Sequence, residues 1–393
     1  MTDTTESDRW RTSVCAARCR LYQQNRPKAD DVSVETRLLT EYTQRTAFQG
    51  GMTTYKESYM KPLITLAAGA LVLAGTGFAT GAERVTVDNF KRVETDYYFK
   101  NRVDEGCFGK FCRERGPRAV DRQAVIRLNR DTPYSSALFD LTPPVTIVKP
   151  DTGKRFQSMV VINEDHYIKM VAYEPGSYTL TQDKIGTRYV QVVFRTFMDP
   201  NDPADMEAGH ALQDQIKAIQ ASPGTFEIPD WDQDQRQQLH DALLRLGPFV
   251  PDSRGMFGDE AEVNPVRHLV GTAGGWGGNR EQDALYTNVN PKANDGQTPH
   301  TLTVKDVPVD GFWSITVYNP KGFYEAPESA ISVNNVTAKK NPDSSVTVHF
   351  GGDPNQPNYL RIMPGWNYTV RLYRPRGEAL DGSWKFPDAQ PAN

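Results

Sequence analysis

The chain has 393 residues and a formal net charge of −4, with 45 Lys and Arg against 49 Asp and Glu. Nucleic acids and anionic membranes are bound through clustered basic side chains, and this slightly acidic sequence offers no such patch, so neither is an expected partner. The length suits two domains of ordinary size.

An apolar run that begins at Met60 is the most informative segment of the chain. It ends in small residues at Ala79, Gly81 and Ala82. A cleaved secretory signal has about 7 to 15 apolar residues before a small-residue site, whereas a membrane anchor needs about 20. The layout predicts a signal peptide over residues 60–82, with a membrane anchor as the alternative. We therefore expect a periplasmic or secreted protein that keeps no permanent membrane anchor after cleavage.

Residues 1–59, which precede this run, are polar and mixed in charge, without sustained apolar periodicity. An export signal works at an N-terminus, so we expect this stretch to be a non-native extension from an upstream start codon, or a disordered one. Its Cys15 and Cys19 have no second cysteine pair and no nearby His, which disfavours a zinc site.

Two cysteines follow the expected signal, Cys107 and Cys112. In an oxidising compartment they are near enough in sequence to form one small disulfide loop. A reactive thiol is the alternative, but no His lies close in sequence to activate it. The sequence therefore favours a disulfide.

Short β-rich runs separated by turn residues occupy the first part of the expected mature chain. Asp151-Thr152-Gly153 and Glu174-Pro175-Gly176-Ser177 are the clearest turns. This spacing predicts an antiparallel sandwich over residues 83–202. The expected strands are Val145–Val148, Phe156–Asn163, Tyr167–Tyr173 and Tyr189–Phe197.

The hydrophobic period then changes to that of helices. Asp202 is placed to cap a helix whose formers run from Met206 to Ile219, and a second helix is expected from about Trp231 to Leu246, capped by Asp230. Residues 203–271 are therefore expected to be a mainly helical linker.

Strands return in the last third of the chain. The run from Tyr368 to Tyr373 puts apolar and polar side chains on opposite faces, as a half-buried strand does. Seven such runs predict a C-terminal jelly roll or a similar sandwich over residues 272–393, so the expected fold class is mainly β with a helical middle segment. The runs are 285–289, 301–305, 312–318, 330–336, 345–350, 359–363 and 368–373.

Several separated motifs resemble a known pair of domains. One motif, with Asp214 later in the chain, is similar to the DUF1254 family: Asn129-Arg130-Asp131-Thr132-Pro133-Tyr134-Ser135-Ser136. A second set is similar to the companion DUF1214 domain: Gly275-Trp276-Gly277-Gly278, with the strands at 312–318 and 368–373. The resemblance implies an Ig-like β-sandwich, then helices, then a jelly roll. It brings no established activity. Pro133 departs from the family's more frequent Leu and, lacking a backbone donor, argues against a continuous strand through Tyr134.

Known catalytic motifs are largely missing from the sequence. It has no Gly-x-Ser-x-Gly elbow, no His-Glu-x-x-His helix and no phosphate loop. The six histidines lack the paired spacing of a jelly-roll metal site, so neither a metal nor a cofactor is expected. They are His166, His210, His240, His268, His300 and His349.

The segment from Arg127 to Tyr134 is the first candidate site. Arg127, Asn129 and Asp131 would share one face of a strand and could hold a carboxylate or sugar hydroxyls. In the alternative interpretation, Asp131 and Thr132 cap a turn, and Tyr134 fills the sandwich with its hydroxyl bonded to the backbone.

A second candidate is Asn163-Glu164-Asp165-His166-Tyr167, which lies between two apolar runs. Two carboxylates beside the imidazole would raise its pKa and make His166 a general base. The alternative is a solvated hairpin tip.

The third candidate is Trp276, with Asn279 close by and glycines on both sides. Glycines let the backbone approach a ligand, and the indole would stack on a sugar ring or an apolar group. The alternative is an interdomain turn whose tryptophan fills the junction.

Taken together, these features predict an exported protein of unproven activity that binds a small polar ligand or takes part in assembly. Its expected partner is that ligand or a second copy of the chain. The alternative is a hydrolase-like enzyme at the domain junction. In that case Asp131, Tyr134 and His166 are the candidate catalytic residues and Trp276 completes the site.

Overall fold

The computed structural model describes residues 81–123, 126–325 and 327–392. Residues 1–59, with Cys15 and Cys19, and all but the last two residues of the expected signal peptide lie outside the described residues. Across the described ranges, sixteen strands form four sheets and six helices pack around them, which confirms the mainly β fold class. Among these residues, no helix combines the length and apolar character needed to cross a membrane.

The first sandwich packs a five-stranded sheet against a three-stranded one. The larger sheet has the order β1-β2-β7-β4-β5 and the smaller the order β6-β3-β8, with antiparallel pairing throughout. Phe139, Ile147 and Val192 belong to the fully buried core between them. The strands are β1 Cys112–Arg113, β2 Tyr134–Asp140, β3 Val145–Lys149, β4 Gln157–Asn163, β5 Ile168–Ala172, β6 Gly176–Leu180, β7 Tyr189–Thr196 and β8 Lys217–Gln220.

The second sandwich consists of two four-stranded sheets, an arrangement expected of a jelly roll. Their orders are β12-β11-β15-β9 and β14-β13-β10-β16. Ile315 and Val348 come from opposite sheets and meet in one core beside Trp366. The strands are β9 Ala284–Val289, β10 His300–Val304, β11 Trp313–Tyr318, β12 Ser332–Asn334, β13 Val346–Phe350, β14 Tyr359–Leu360, β15 Asn367–Tyr373 and β16 Gln390–Pro391.

Helices occupy the margins of the sandwiches and the segment between them. The Asp202 carboxylate accepts hydrogen bonds from the Ala204 and Asp205 amides, which confirms the predicted N-cap. A disulfide joins Cys107 to Cys112, the first residue of β1. The helices are α1 Phe90–Asp104, α2 Gln182–Ile185, α3 Pro203–Gln215, α4 Gln233–Leu244, α5 Pro265–Gly275 and α6 Gly377–Leu380.

Two predicted helix boundaries were wrong. Helix α3 ends at Gln215, before Ile219, because the chain becomes extended at Ile216, whose side chain is buried in the first core. The residues that follow then pair with β3 as strand β8. Helix α4 is capped by Asp232, not Asp230, because the Asp232 carboxylate accepts the Gln235 amide.

Helix α1 was not predicted from the sequence. Its buried positions include Glu94, Thr95 and Asp96, so its inward face lacks the apolar stripe that marks an amphipathic helix. Strand β6 also begins at Gly176, within a segment predicted to be a turn. Strand β2 begins at Tyr134, directly after Pro133. Proline therefore limits the strand on its N-terminal side but does not keep Tyr134 out of it, contrary to the prediction.

Candidate functional site

A cavity of about 1210 Å³ lies between the two sandwiches. Strands β2 and β7 supply one wall, strands β9 and β15 supply another, and residues of α1, α5 and the segment 247–257 complete the lining. Small-molecule pockets usually measure about 300 to 1,000 Å³. The cavity is therefore large enough for an organic ligand.

The alternation of strand β7 explains the first wall. Val192 and Phe194 point into the core of the first sandwich, so the intervening side chains point out of its opposite face. Gln191, Val193 and Arg195 consequently line the cavity. Tyr134 pairs with Arg195 across β2 and β7 and adds its phenol to the same wall.

Strand β15 forms the second wall in the same way. Its apolar alternate positions lie in the core of the second sandwich, as the sequence pattern predicted. Thr369, Arg371 and Tyr373 lie on the other face and line the cavity, together with Tyr286 of β9. The polar face of this strand therefore meets the cavity.

The first candidate segment reaches the cavity without forming a strand. Arg127 has the left-handed φ of 53°, and Asn129 accepts the Asp131 amide at 2.7 Å in a local turn. The prediction that Arg127, Asn129 and Asp131 share a strand face was therefore wrong. Arg127 and Asn129 both line the cavity, and Arg127 donates to Asn367 Oδ1 at 2.7 Å.

Asp131 is buried behind the cavity wall rather than exposed within it. Its Oδ2 accepts a hydrogen bond from Ser314 Oγ at 2.5 Å and a longer one from the Tyr373 hydroxyl at 3.4 Å. Its Oδ1 has no hydrogen-bond partner among the described residues. Burial raises the pKa of Asp131 against the opposing effect of Arg371. Its contacts therefore tie the 126–133 segment to the second sandwich.

Tyr134 lines the cavity and does not fill the sandwich core. The Arg195 guanidinium lies over its ring, 5.3 Å from the centroid. Cation–π contacts of this kind stabilise a buried arginine, so Tyr134 helps to hold Arg195 at the cavity wall.

His166 is buried, with 1% of its surface exposed, so the solvated hairpin tip was wrong. Its Nε2 accepts the Gly277 amide at 2.8 Å, which leaves the proton on Nδ1 for donation to Thr272 Oγ1 at 2.9 Å. Burial lowers the pKa of His166 well below its usual value, helped by the neighbouring His268. The predicted increase was therefore wrong, because Glu164 and Asp165 bond to other groups.

Those two carboxylates have structural partners. Asp165 forms an ion pair with Arg92 at 2.8 Å, and Glu164 accepts the Tyr189 amide at 3.1 Å. With both ring nitrogens bonded to protein atoms, His166 holds the junction together and has no free nitrogen for a ligand in the cavity.

Trp276 lines the cavity and is itself held by aromatic neighbours. Its ring stacks on Tyr98 at 4.7 Å and on His166 at 5.4 Å between centroids, and its Nε1 donates to Thr95 Oγ1. Asn279 is not among the described lining residues; its side chain donates to the Tyr286 hydroxyl. These contacts favour the interpretation of a tryptophan that fills the domain junction.

The glycines around Trp276 have steric roles. Gly277 adopts the left-handed φ of 76°, and a Cβ on Gly278 would lie 2.5 Å from the Phe257 ring. The Gly277 carbonyl oxygen accepts a hydrogen bond from Arg195 Nη2 at 2.6 Å. Through its amide and its carbonyl oxygen, this one residue therefore connects His166 to the arginine in the cavity wall.

Of the four residues proposed for an enzyme site, the structure brings Tyr134 and Trp276 to the cavity and leaves Asp131 and His166 behind its walls. Sequence reasoning missed Gln191, Arg195 and Tyr286. The available signal was Arg195 within a mainly apolar run, because a central strand tolerates an arginine only where it has a polar environment.

The described lining of the cavity contains no histidine and no cysteine. No group of three or more His, Cys, Asp or Glu side chains is placed to hold a metal ion anywhere in the described ranges.

Two family models match the chain. Residues 108–220 match DUF1254 and residues 284–377 match DUF1214, each described as a protein of unknown function. No curated protein shows significant similarity to the chain.

Two solved structures are similar to this one. The VPA0106 protein from Vibrio parahaemolyticus is 15% identical, with a TM-score of 0.59 over 78% of this chain and 98% of its own. An uncharacterised protein from Burkholderia cenocepacia, also 15% identical, has a TM-score of 0.44 over 74% of this chain and 84% of its own. The first likeness concerns the fold alone. With both domain matches in the expected order, the chain belongs to the two-domain family that joins DUF1254 to DUF1214.

Proposed function

We propose that the protein is an exported binding protein that holds a small organic ligand in the cavity between its two domains. The observation that carries this proposal is the cavity itself, of about 1210 Å³, with walls from both sandwiches. Ligand sites often occur at such domain junctions. The cavity favours ligand binding over a role in assembly.

Unpartnered polar atoms in the wall support the proposal. Arg195 Nη1 and Gln191 Oε1 are buried and have no hydrogen-bond partner among the described residues, and both side chains line the cavity. A buried polar group without a partner costs about 1 to 3 kcal/mol. A ligand that supplies the missing partners would recover this energy.

The alternative hydrolase-like activity has less support. A general base must come within hydrogen-bond reach of the reacting group, but both nitrogens of His166 are engaged with Gly277 and Thr272. Asp131 lies behind Tyr373 and is bonded to Ser314. The geometry thus favours binding without catalysis.

The export component is supported by the apolar run at residues 60–82 and by the disulfide between Cys107 and Cys112, since such bonds persist in oxidising compartments. N-terminal sequencing of the product from cell fractions tests it. We expect a mature chain in the periplasm or medium that starts near residue 83, and a product that keeps Met1 in the cytoplasm would contradict export.

Filling the cavity tests the binding component. The neutral fluorophore Nile red reports on apolar cavities without favouring an ionic site. Val193→Trp places a large ring on a lining position, whereas Val336→Trp places the same ring on a side chain that is 56% exposed and outside the described lining. We expect the wild type and Val336→Trp to bind the dye and Val193→Trp to bind it at least about tenfold more weakly, a loss of about 1.4 kcal/mol. Absence of wild-type binding, or equal binding by both variants, would contradict the proposal.

A further inference from the structure

We propose that the ligand is an amphipathic anion, whose oxyanion binds Arg195 between the two sandwiches and whose apolar body lies along the wall formed by α4, α5 and the segment between them. This inference rests on the proposed binding function and specifies the chemistry of its ligand. The shared chemistry is a carboxylate or phosphate group attached to an apolar body.

The balance of charges in the cavity wall points to an anion. Arg127, Arg195 and Arg371 line the cavity, and none of them has a carboxylate within ion-pair distance among the described residues. The acidic residues of the lining, in contrast, all have basic partners. These pairs are Asp104 with Lys100, Glu105 with Arg102, Glu114 with Arg118, and Asp252 with Arg254 and Arg267.

Two of the three arginines donate to side-chain oxygens of the second sandwich. Arg371 donates to Thr316 Oγ1 and to the Tyr318 hydroxyl, and it interacts electrostatically with Asp131. Arg127 donates to Asn367 Oδ1. Their charges add to the positive potential of the cavity, while their hydrogen bonds fix the guanidinium groups in place.

Arg195 is the group left for a ligand. Its side chain is 95% buried, given a relative exposure of 5%; Nη2 donates to the Gly277 oxygen at 2.6 Å, and Nη1 has no partner among the described residues. A buried charge without a counter-charge is costly. An oxyanion is the partner that offsets this cost, because the guanidinium fork matches carboxylate and phosphate oxygens.

A phenol beside Arg195 supplies a second donor. Tyr286 interacts electrostatically with both Arg195 and Arg371, and burial raises its pKa, so its hydroxyl stays protonated. The hydroxyl oxygen already accepts the Asn279 amide and side-chain nitrogen. Its hydrogen is therefore available to an oxyanion bound between the two arginines.

The rest of the lining sets the character of the ligand body. Apolar side chains line the cavity from the end of α4 through α5, and a fully hydrophilic anion would leave them in contact with water. An apolar chain or ring would remove this surface from water, which stabilises the complex by about 25 cal/mol for each Å² of apolar surface buried. These side chains are Leu244, Val250, Met256, Phe257 and Val270.

Three alkyl probes of one chain length test the inference on the wild-type protein. Dodecanoate and dodecyl phosphate carry an oxyanion, and dodecanol is the neutral control. We expect titration calorimetry below the micellar concentration to show at least one anion binding about 10- to 100-fold more tightly than dodecanol, the gain of a charge-assisted hydrogen bond. The tighter anion identifies the head group as carboxylate or phosphate.

Two variants assign the preference to the arginine. Arg195→Gln should bring the affinity for the anion down to that for dodecanol, while Arg84→Gln, which removes an exposed charge outside the described lining, should leave it unchanged. If Arg195→Gln fails to fold, Arg127→Gln gives a second measurement, with a smaller expected loss of anion affinity.

The outcomes separate this inference from the proposed function. Equal affinity for all three probes, or binding of none, would overturn the anion inference, while Nile red binding that Val193→Trp abolishes would still support a ligand cavity. Selective anion binding that Arg195→Gln does not change would also overturn the assignment to Arg195.

Discussion

Asp96 gives a quantitative test of the buried polar face of α1. Its side chain is 1% exposed; Oδ2 accepts Trp231 Nε1 at 2.8 Å, and Oδ1 has no hydrogen-bond partner among the described residues. Burial raises the pKa of Asp96 to about 7, with the Trp231 bond and Arg92 opposing the shift and Glu164 adding to it. Asp96 is therefore a carboxyl group that the fold prefers in its neutral form.

The sign of the effect follows from proton linkage. A carboxyl group whose folded pKa is raised contributes its full stability below the unfolded value of 3.8 and loses that contribution as the pH rises towards 7. Each pKa unit corresponds to about 1.4 kcal/mol, so the whole shift is worth about 4 kcal/mol. Asp96→Asn keeps the shape and an acceptor for Trp231 but removes the titration. The free energy of unfolding of the variant, minus that of the wild type, should rise by about 1.4 kcal/mol per pH unit between pH 4 and 7.

Urea unfolding between pH 5 and 8 measures this difference. Asp88→Asn is the matched control, because Asp88 is exposed and the substitution removes the same charge. Differences between variant and wild type are needed because burial lowers the pKa of His166, which makes stability fall as the pH drops below 6.5 and partly masks the Asp96 slope in the wild type. A difference that does not change with pH, or that matches Asp88→Asn, would refute the reasoning.

Two further changes test the domain junction and the disulfide. Gly278→Ala should lower the free energy of unfolding by about 1 to 3 kcal/mol through overpacking, because the new Cβ would lie 2.5 Å from Phe257. Gly274→Ala is the control: its Cβ would meet Leu244 at an ordinary 3.6 Å, so the change should be neutral or slightly stabilising. Equal melting temperatures for the two variants would contradict this prediction. Cys107→Ser removes a disulfide that closes a short loop and should lower the free energy of unfolding by about 2 kcal/mol, measured by thermal unfolding. Under reducing conditions, where the wild type also lacks the disulfide, the variant and the wild type should be equally stable.

Four of the eight described strands of the first sandwich and seven of the eight of the second were predicted, because their hydrophobic pattern is local. Tyr189–Thr196 and Asn367–Tyr373 lie within one or two residues of the predicted runs. Helix α1 was not predictable in this way, because it buries Glu94 against Arg236 at 2.7 Å. That compensation comes from α4, far away in the sequence, so no local pattern reveals it.

The candidate site shows the same distinction. Arg127, Asn129, Tyr134 and Trp276 were identified from local composition, and all four line the cavity. The role of His166 could not be inferred locally, because its environment comes from Thr272 and Gly277 on a distant segment. Adjacent carboxylates predict a raised pKa only where their charges face the imidazole, and here burial has the larger effect.

The two cavity walls also differ in composition from an ordinary solvated sheet face. Strand β7 presents Gln191 and Arg195, and strand β15 presents Thr369, Arg371 and Tyr373, with neither Lys nor Glu among them. Arginine and tyrosine are enriched, and lysine and glutamate depleted, where protein surfaces are removed from water. The alternation of each strand predicts only a polar face, because its period is the same whether that face meets water or a cavity. The choice of Arg and Tyr over Lys and Glu is the feature that distinguishes the two cases. Arg195, whose Nη1 lacks a hydrogen-bond partner among the described residues, is the member of this set that the proposed anion would bind.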